Sequence, residues 1–267
     1  LRATAVELRD GRDGGLVTRL DLGRGAASGQ RAGYRFVHRA DLIALLHEGA
    51  RAAGVEIRLA RQVTGLRLDP GAGAVLELAG GERLGAGLVI GADGIHSVLR
   101  SALEGRVAPF FTHQVAWRAV IPAEAGAPPV AEVHMGAGRH LVSYPLRGGR
   151  LRNIVAVEER HAWVEESWSR RDDDLEIRLA FADFGPRVAG WLEQIETCWL
   201  WGLFRHPVAR NWGWSSADGR HGAAILGDAA HPTLPFLAQG ANMALEDAWV
   251  LAALVDSHET TGAAMAA

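Results

Sequence analysis

Gly227-Asp228-Ala229-Ala230-His231-Pro232-Thr233-Leu234-Pro235-Phe236-Leu237-Ala238-Gln239-Gly240-Ala241-Asn242 is the stretch on which the fold assignment turns. Just before it, Ala223 to Leu226 is short and apolar. Such a run reads as a buried parallel strand ending at Asp228, and ligands of open α/β sheets gather at strand ends of this kind. An aspartate there can accept the hydroxyls of a ribose. Pro232 and Pro235 fix the loop backbone. Gln239-Gly240-Ala241-Asn242 then opens a helix whose apolar positions Met243, Leu245, Ala248, Trp249, Leu251 and Ala252 predict a buried stripe. The first N–H groups of that helix, at the positive end of its dipole, favour an anion or an electron-rich carbonyl. Any one of these residues alone fits an ordinary turn before a core helix; the whole run reads as a nucleotide-cofactor site.

A second run has the same grammar: Leu88-Val89-Ile90-Gly91-Ala92-Asp93-Gly94-Ile95-His96-Ser97-Val98-Leu99-Arg100. An apolar strand again ends near an aspartate. Asp93 can cap the helix that follows, Gly94 permits a sharp turn close to a ligand, and Ser97 and Arg100 share a helix face. Capping and ligand contact are equally open to Asp93.

Together these runs resemble the paired DG and GD fingerprints of the FAD-dependent aromatic-ring hydroxylases, the single-component, salicylate hydroxylase-like flavoprotein monooxygenases. Three further segments resemble that family in the expected order: His38-Arg39-Ala40-Asp41-Leu42, then Arg139-His140-Leu141-Val142-Ser143-Tyr144-Pro145-Leu146-Arg147-Gly148-Gly149 with Asn153, and the closing helix Met243 to Leu254. The resemblance implies FAD as cofactor, NADH or NADPH as co-substrate, O2, and a small aromatic substrate of phenolic or hydroxybenzoate type. In that chemistry the reduced flavin forms a C4a-hydroperoxide, which passes its distal oxygen to an activated ring. The resemblance places Arg39, Asp93, Gly94, Gly227, Asp228, Pro235, Gln239, Gly240, Ala241 and Asn242 at the cofactor; for Arg39, a solvated first-turn arginine is the alternative. A polyketide-like or quinone-precursor ring is the alternative substrate. A flavin-free fragment serving only as a binding module is the alternative from another class.

The fold class that follows is mixed α/β: a Rossmann-like FAD-binding domain of the aromatic hydroxylase type, incomplete, with an inserted, mainly antiparallel substrate domain. Residues 1–105 are expected to form the first part of the FAD-binding domain, 106–205 the substrate-binding domain and 206–267 the return segment. A helix is expected at Arg39 to Ala53, strands at Val55 to Leu59, Thr64 to Leu68 and Val75 to Leu78, then extended segments at Gln114 to Ile121, Ala131 to Met135, His140 to Tyr144 and Ile154 to Glu158. A helical stretch is expected from Asp172 to Phe184. The family opens with a βαβ unit carrying Gly-x-Gly-x-x-Gly. Here Gly23-Arg24-Gly25, Gly71-Ala72-Gly73 and Gly136-Ala137-Gly138 lack that spacing and read as loop or hairpin glycines. The chain opening at Leu1 is therefore read as a fragment without its N-terminal βαβ segment, in which activity would be in doubt.

On the substrate side, His140 and Tyr144 lie four apart on an expected strand and so face one side of the sheet with Val142 between them. The resemblance assigns this pair substrate binding and proton transfer: a histidine of pKa about 6.5 can take a phenolic proton and enrich the ring. A core histidine and tyrosine on a buried sheet face would look the same in sequence. His231 reads as a structural turn histidine, and apolar Phe236 as a wall that favours a flat substrate. Where relatives carry an Asp-Arg pair, this chain has Leu203-Phe204-Arg205-His206-Pro207.

Composition narrows the class. The chain has 267 residues, 48% of them hydrophobic, with a net charge of −3, so it can bury a large core and presents no basic face for nucleic acid or anionic membrane. It contains no apolar run of about 18 residues and no signal peptide, although a missing N-terminus would hide one. The single Cys198 excludes an internal disulfide and reads as a buried thiol, which fits a cytoplasmic protein. His47-Glu48 lacks the second histidine of a zinc helix, so no metal is expected. The oligomeric state is open, a homodimer among the options.

Overall fold

The computed structural model describes residues 1–22, 33–71, 73–160, 171–236 and 239–266. The chain begins with β1 (Ala5–Asp10), β2 (Leu16–Asp21), α1 (Arg39–Ala52), β3 (Val63–Asp69), β4 (Gly73–Leu78), β5 (Arg83–Ala86), β6 (Leu88–Gly91) and α2 (Val98–Glu104). Next come β7 (Phe110–Pro122), β8 (Val130–Gly136), β9 (Arg139–Leu146), β10 (Leu151–Glu159), β11 (Arg171–Asp172), α3 (Asp174–Ala180) and α4 (Pro186–Leu192). It closes with β12 (Cys198–Arg205), β13 (Gly213–Ser215), β14 (Gly222–Ile225), α5 (Gly240–Ser257) and α6 (Thr261–Ala266).

Two compact units form, one from Leu1–Glu56 with Phe111–Leu203, the other from Ile57–Phe110 with Phe204–Ala267. The first is organised by an eight-stranded sheet in the order β11-β12-β7-β10-β9-β8-β1-β2. Alternation along its strands separates two faces. One face, carrying Trp117, Ile121, Leu141, Ile154 and Leu200, is sealed by Ile177 of α3, by Phe181 just after it, and by Val188 and Trp191 of α4. Charged groups under α4 are paired. Glu132, 3% exposed, takes a bidentate pair from Arg187 at 2.7 and 2.8 Å, and buried Arg152 bonds Ser143 and Glu124 while lying 4.6 Å over the Trp191 ring. Hydrogen bonds from His134 and Arg187 outweigh the burial that would raise the Glu132 carboxyl, and hold it down at about 2.

The second unit carries two three-stranded sheets, β13-β14-β6 and β3-β4-β5. Strands β14 and β6 run parallel, with Ile225 opposite Gly91 and Ala223 opposite Val89, as expected for the strands preceding the two aspartate runs. Gly91 is required here, because a Cβ would lie 2.8 Å from Leu99 Cβ, and its absence lets α2 pack onto the strand.

Several expectations need correction. Residues 1–56 do not belong with 57–105: β1 pairs in parallel with β8, so this segment is part of the large sheet's unit. Val55 to Leu59 alternates like a strand but forms none; no described strand runs alongside it, and Leu59 is 80% exposed. The helical stretch at Asp172 starts only at Asp174, because Arg171–Asp172 pairs with β12 and Asp173 caps α3 by accepting from the Leu175 N–H at 3.0 Å. It stops at Ala180, and α4 begins afresh at Pro186. The buried stripe expected on α5 is absent: none of its residues is buried, Trp249 is 79% exposed, and the partly covered positions are Met243, Ala244, Asp247, Leu251 and Leu254. Gly136 and Gly138 sit at the β8–β9 turn as read, whereas Gly23-Arg24-Gly25 lies outside the described residues. Among the described residues no helix is long and apolar enough to cross a membrane, and no cluster of three potential metal ligands occurs.

Candidate functional site

In the second unit, parallel pairing of β6 with β14 brings the two fingerprint loops out of adjacent strand ends, and the Leu226 N–H donates to the Gly91 carbonyl at 3.0 Å to extend the ladder past both strands. The two aspartates then diverge in use. Asp93 is occupied by its own helix: its carboxylate accepts from Ser97 Oγ at 2.5 Å, from the Val98 N–H at 2.8 Å and from the Leu99 N–H at 3.3 Å, while Ser97 caps α2 by accepting from the Arg100 N–H. What the loop leaves open is Gly94, in the left-handed region at φ 76° with nothing within 4 Å of where a Cβ would stand.

Asp228 is the opposite case. It is exposed, and its carboxylate has no hydrogen-bond partner among the described residues. A Cβ on Gly240 would lie 2.8 Å from Thr233 Oγ1 and 3.7 Å, an ordinary contact, from Asp228 Oδ1, so the start of α5 sits close to this carboxylate. The Gln239 side chain does not cap α5, and among the described residues the N–H groups of Gly240, Ala241 and Asn242 have no acceptor. Pro235 is exposed at the bend of the loop.

The loop is held by a residue that sequence reading missed. Asp247 Oδ2, on the covered side of α5, accepts from the Gly227 N–H at 2.8 Å and meets His231 Nε2 at 2.5 Å. Gly227 itself is at φ 59°, with Ala244 Cβ 3.1 Å from its missing Cβ. His231 is buried, 5.1 Å from the Trp212 ring, and serves as a structural histidine. The only sequence signal for Asp247 was a carboxylate on the apolar side of a helix.

In the first unit, the large sheet's second face carries His140, Val142 and Tyr144 of β9, as the alternation requires. Cross-strand partners extend this face in rows: Tyr144 opposite Asn153, itself opposite Val120; Val133, Val142, Val155 and Arg118 in one row; Met135, His140, Val157 and Ala116 in the next. Tyr144 stacks on Phe36 with centroids 5.0 Å apart, and Tyr34 packs edge-on to Phe36 at 5.9 Å. Val133, Met135, His140, Val142, Tyr144, Val155 and Arg118 are each half-buried, whereas Leu141 and Ser143 on the other face are wholly buried. Burial pushes the His140 imidazole below its ordinary value of 6.5. It lifts the Tyr144 phenol above 10.0 against the opposing field of Arg118. Arg39, the first residue of α1, is exposed and belongs to this unit.

A family model described as an FAD binding domain matches residues 34–264. The chain belongs to that family. Among relatives of this FAD binding domain protein is a 3-amino-4-hydroxybenzoate 2-monooxygenase of Streptomyces platensis, PtnB3, 38% identical over 263 residues, which cover 97% of this chain and 64% of that protein. A 3-hydroxybenzoate 6-hydroxylase of Polaromonas naphthalenivorans is 35% identical over 249 residues, covering 90% of this chain and 59% of the relative. The chain thus spans less than two thirds of the length of these relatives. Among solved structures, a salicylate hydroxylase substrate complex superposes with a TM-score of 0.74 at 27% identity, covering 98% of this chain and 65% of that one. CtdE in complex with FAD and substrate 4 shares the fold, with a TM-score of 0.82 at 23% identity over 99% of this chain and 66% of that one.

The donor set in the second unit fits the group for which this FAD binding domain family is described. An unpartnered carboxylate at Asp228 can accept hydroxyl protons, and the uncapped N–H groups of α5 can donate to a carbonyl or to developing negative charge. The bare backbone at Gly94 leaves room for close approach.

Proposed function

We propose that the protein is an NAD(P)H- and O2-dependent flavoprotein monooxygenase that hydroxylates a small aromatic substrate of phenolic or hydroxybenzoate type. The observation that carries this reading is the in-register parallel pair β6 and β14, from whose ends the Gly94 turn, the Asp228 carboxylate and the start of α5 emerge together. Relatives active on aminohydroxybenzoate and hydroxybenzoate support the substrate class.

Bound FAD would supply oxygen activation after reduction by the nicotinamide. The residues of this chain do the rest. The Asp228 carboxylate accepts from the cofactor's sugar-chain hydroxyls. The N–H groups of Gly240, Ala241 and Asn242 meet the electron-rich edge of its ring, where an unsatisfied helix end is worth most in a site shielded from water. Asp93 acts as a positioning residue, holding the Gly94 turn through α2, and Pro235 with Gln239 shapes the loop. Arg39 is assigned to the cofactor by resemblance alone. His140, held neutral near pH 7 by burial, takes the phenolic proton as the ring is attacked. Tyr144, kept protonated, donates a hydrogen bond to the substrate's oxygen. In domain terms, the substrate side is the unit built on the large sheet, and the cofactor side the unit formed by residues 57–110 and 204–267.

The test is a spectrum followed by turnover. Purified full-length protein should carry the two visible flavin bands, or gain them on addition of FAD, and should oxidise NAD(P)H faster with a hydroxybenzoate present, yielding a product heavier by one oxygen atom drawn from labelled dioxygen. A protein that stays colourless with FAD, or that oxidises NAD(P)H without an oxygenated product, would refute the proposal.

A further inference from the structure

β2 is an edge of the eight-stranded sheet: it pairs with β1 on one side, and among the described residues no strand pairs with it on the other. An open edge is a template for a further strand, and such edges are ordinarily guarded by proline, by a bulge or by covering structure. β2 carries no proline, and the irregularity in its pairing falls between Leu8 and Arg9 of β1, toward the Leu16 end, which leaves the ladder from Thr18 onward regular. Every residue of β2 is exposed, Val17 and Leu20 each at 62%.

The ladder fixes which backbone groups point outward. The Leu22 N–H donates to the Thr4 carbonyl at 2.9 Å, and bonded and non-bonded pairs alternate along an antiparallel ladder, so Leu20 with Val6 and Thr18 with Leu8 are bonded pairs. Arg19 and Asp21 therefore turn their N–H and C=O groups to the open edge. Their side chains share one face, where the Arg19 guanidinium donates to Asp21 Oδ1 at 2.9 Å and to Glu7 of β1, while Leu20 lies on the other. A second copy laid antiparallel along this edge about a two-fold axis bonds through the outward residues. With the axis at Leu20, Arg19 of each copy stands opposite Asp21 of the other: both bonded pairs close, opposite charges meet across the strands, and the two exposed Leu20 side chains come together. With the axis one residue to either side, Arg19 would meet Arg19 or Asp21 would meet Asp21.

We infer that β2 is a self-recognition edge: two copies of this chain pair through antiparallel β2 strands about a two-fold axis at Leu20, joining their large sheets into one continuous sheet. Charge selects the occupant. A strand that meets β2 needs an acid opposite Arg19 and a base opposite Asp21, in antiparallel order around an apolar residue, and β2 itself has that pattern. The inference concerns the large-sheet unit alone and is independent of the hydroxylase reading. Six residues a side make a small interface, so the dimer should be weak, with a Kd of about 10 µM.

The experiment is sedimentation velocity of the full-length protein from about 1 to about 200 µM, for wild type, Arg19→Asp, Asp21→Arg, an equal mixture of those two, and Leu20→Glu. Wild type should pass from monomer to dimer within that range. Arg19→Asp alone sets carboxylate against carboxylate, and Asp21→Arg alone sets guanidinium against guanidinium, so each should lose at least about tenfold in affinity. In the mixture every pair across the strands is again of opposite sign, and dimers should return to within about threefold of the wild-type affinity. That recovery also shows both variants to be folded. Leu20→Glu, at an exposed position, places like charges on the axis and should lose a similar amount. A wild type that stays monomeric overturns the inference; protection of its Arg19 and Asp21 amides from hydrogen exchange would then show that another segment holds the edge. Single variants that dimerise like wild type also overturn it, as does a mixture that stays monomeric, because association would then lie elsewhere or in another register.

Discussion

His231 Nε2 meets Asp247 Oδ2 at 2.5 Å, and the same oxygen accepts the Gly227 N–H at 2.8 Å. One carboxylate on α5 thereby ties down both the first and the fifth residue of the fingerprint loop and sets the position of Asp228 between them. The histidine in this loop is thus an element of architecture, and the chemistry falls to its neighbours.

Replacing Asp247 by Ala should therefore act on the loop as a whole. It leaves a buried N–H and a buried imidazole without their acceptor, at a cost of roughly 2–3 kcal/mol in unfolding free energy, and FAD retention should fall with it. Denaturant unfolding and flavin content after gel filtration measure the two effects. An Asp247→Ala protein as stable and as yellow as wild type would show that the clamp holds nothing.

Asp228 should behave differently, because no described residue bonds its carboxylate. Asp228→Asn keeps the shape and removes the charge. The flavin-free protein should keep its melting temperature, while FAD affinity falls about tenfold to a hundredfold through loss of a charge-assisted hydrogen bond. Titration of flavin-free protein with FAD, paired with a thermal melt, separates site from scaffold.

The contrast between these two aspartates shows what can be read from the chain alone. Gly94 was legible because its turn imposes a left-handed backbone that few residues allow, Asp228 and the Gly240 helix start because they follow a short apolar strand in one continuous run, and alternation along β9 sufficed to put His140 and Tyr144 on one face. Asp247 was not legible, since its role arises from a non-local pairing that needs the loop folded back onto α5. Val55 to Leu59 misleads for the same reason. Its alternation is strand-like, but a strand exists only where a neighbour accepts its hydrogen bonds. On α5 the sequence carries apolar residues all round, so the pattern could not say which side is covered.

Acid stability should be dominated by Glu132. Its carboxyl is held at about 2 in the folded chain against an ordinary 4.5. A depressed folded value contributes stability that is complete above the unfolded pKa and is lost as pH falls through the folded one, so the loss runs from about pH 4.5 down to pH 2 and amounts to roughly 3 kcal/mol. Denaturant midpoints measured across that window should fall steeply for wild type. Glu132→Gln should begin less stable at neutral pH, because the Arg187 pair is broken, and should lose less between pH 4.5 and 2. Parallel curves for the two proteins would mean that another carboxylate carries the acid sensitivity.

His140 gives turnover a pH dependence of the same sign, activity rising with pH. As the base it must be neutral, and burial lowers its pKa below 6.5, so the rate should climb from acidic pH, pass an inflection below 6.5 and level off through neutrality. His140→Asn removes the base while keeping a polar group of similar reach; the oxygenation rate should fall by about a hundredfold to ten-thousandfold, and the acidic inflection should disappear. Flavin binding should be unaffected, because His140 is not among the residues assigned to the cofactor. The decisive readout is the profile rather than the rate. A slower enzyme that keeps the inflection would return His140 to a packing role and move the proton to another group, whereas a flat profile would fix it as the acceptor of the phenolic proton.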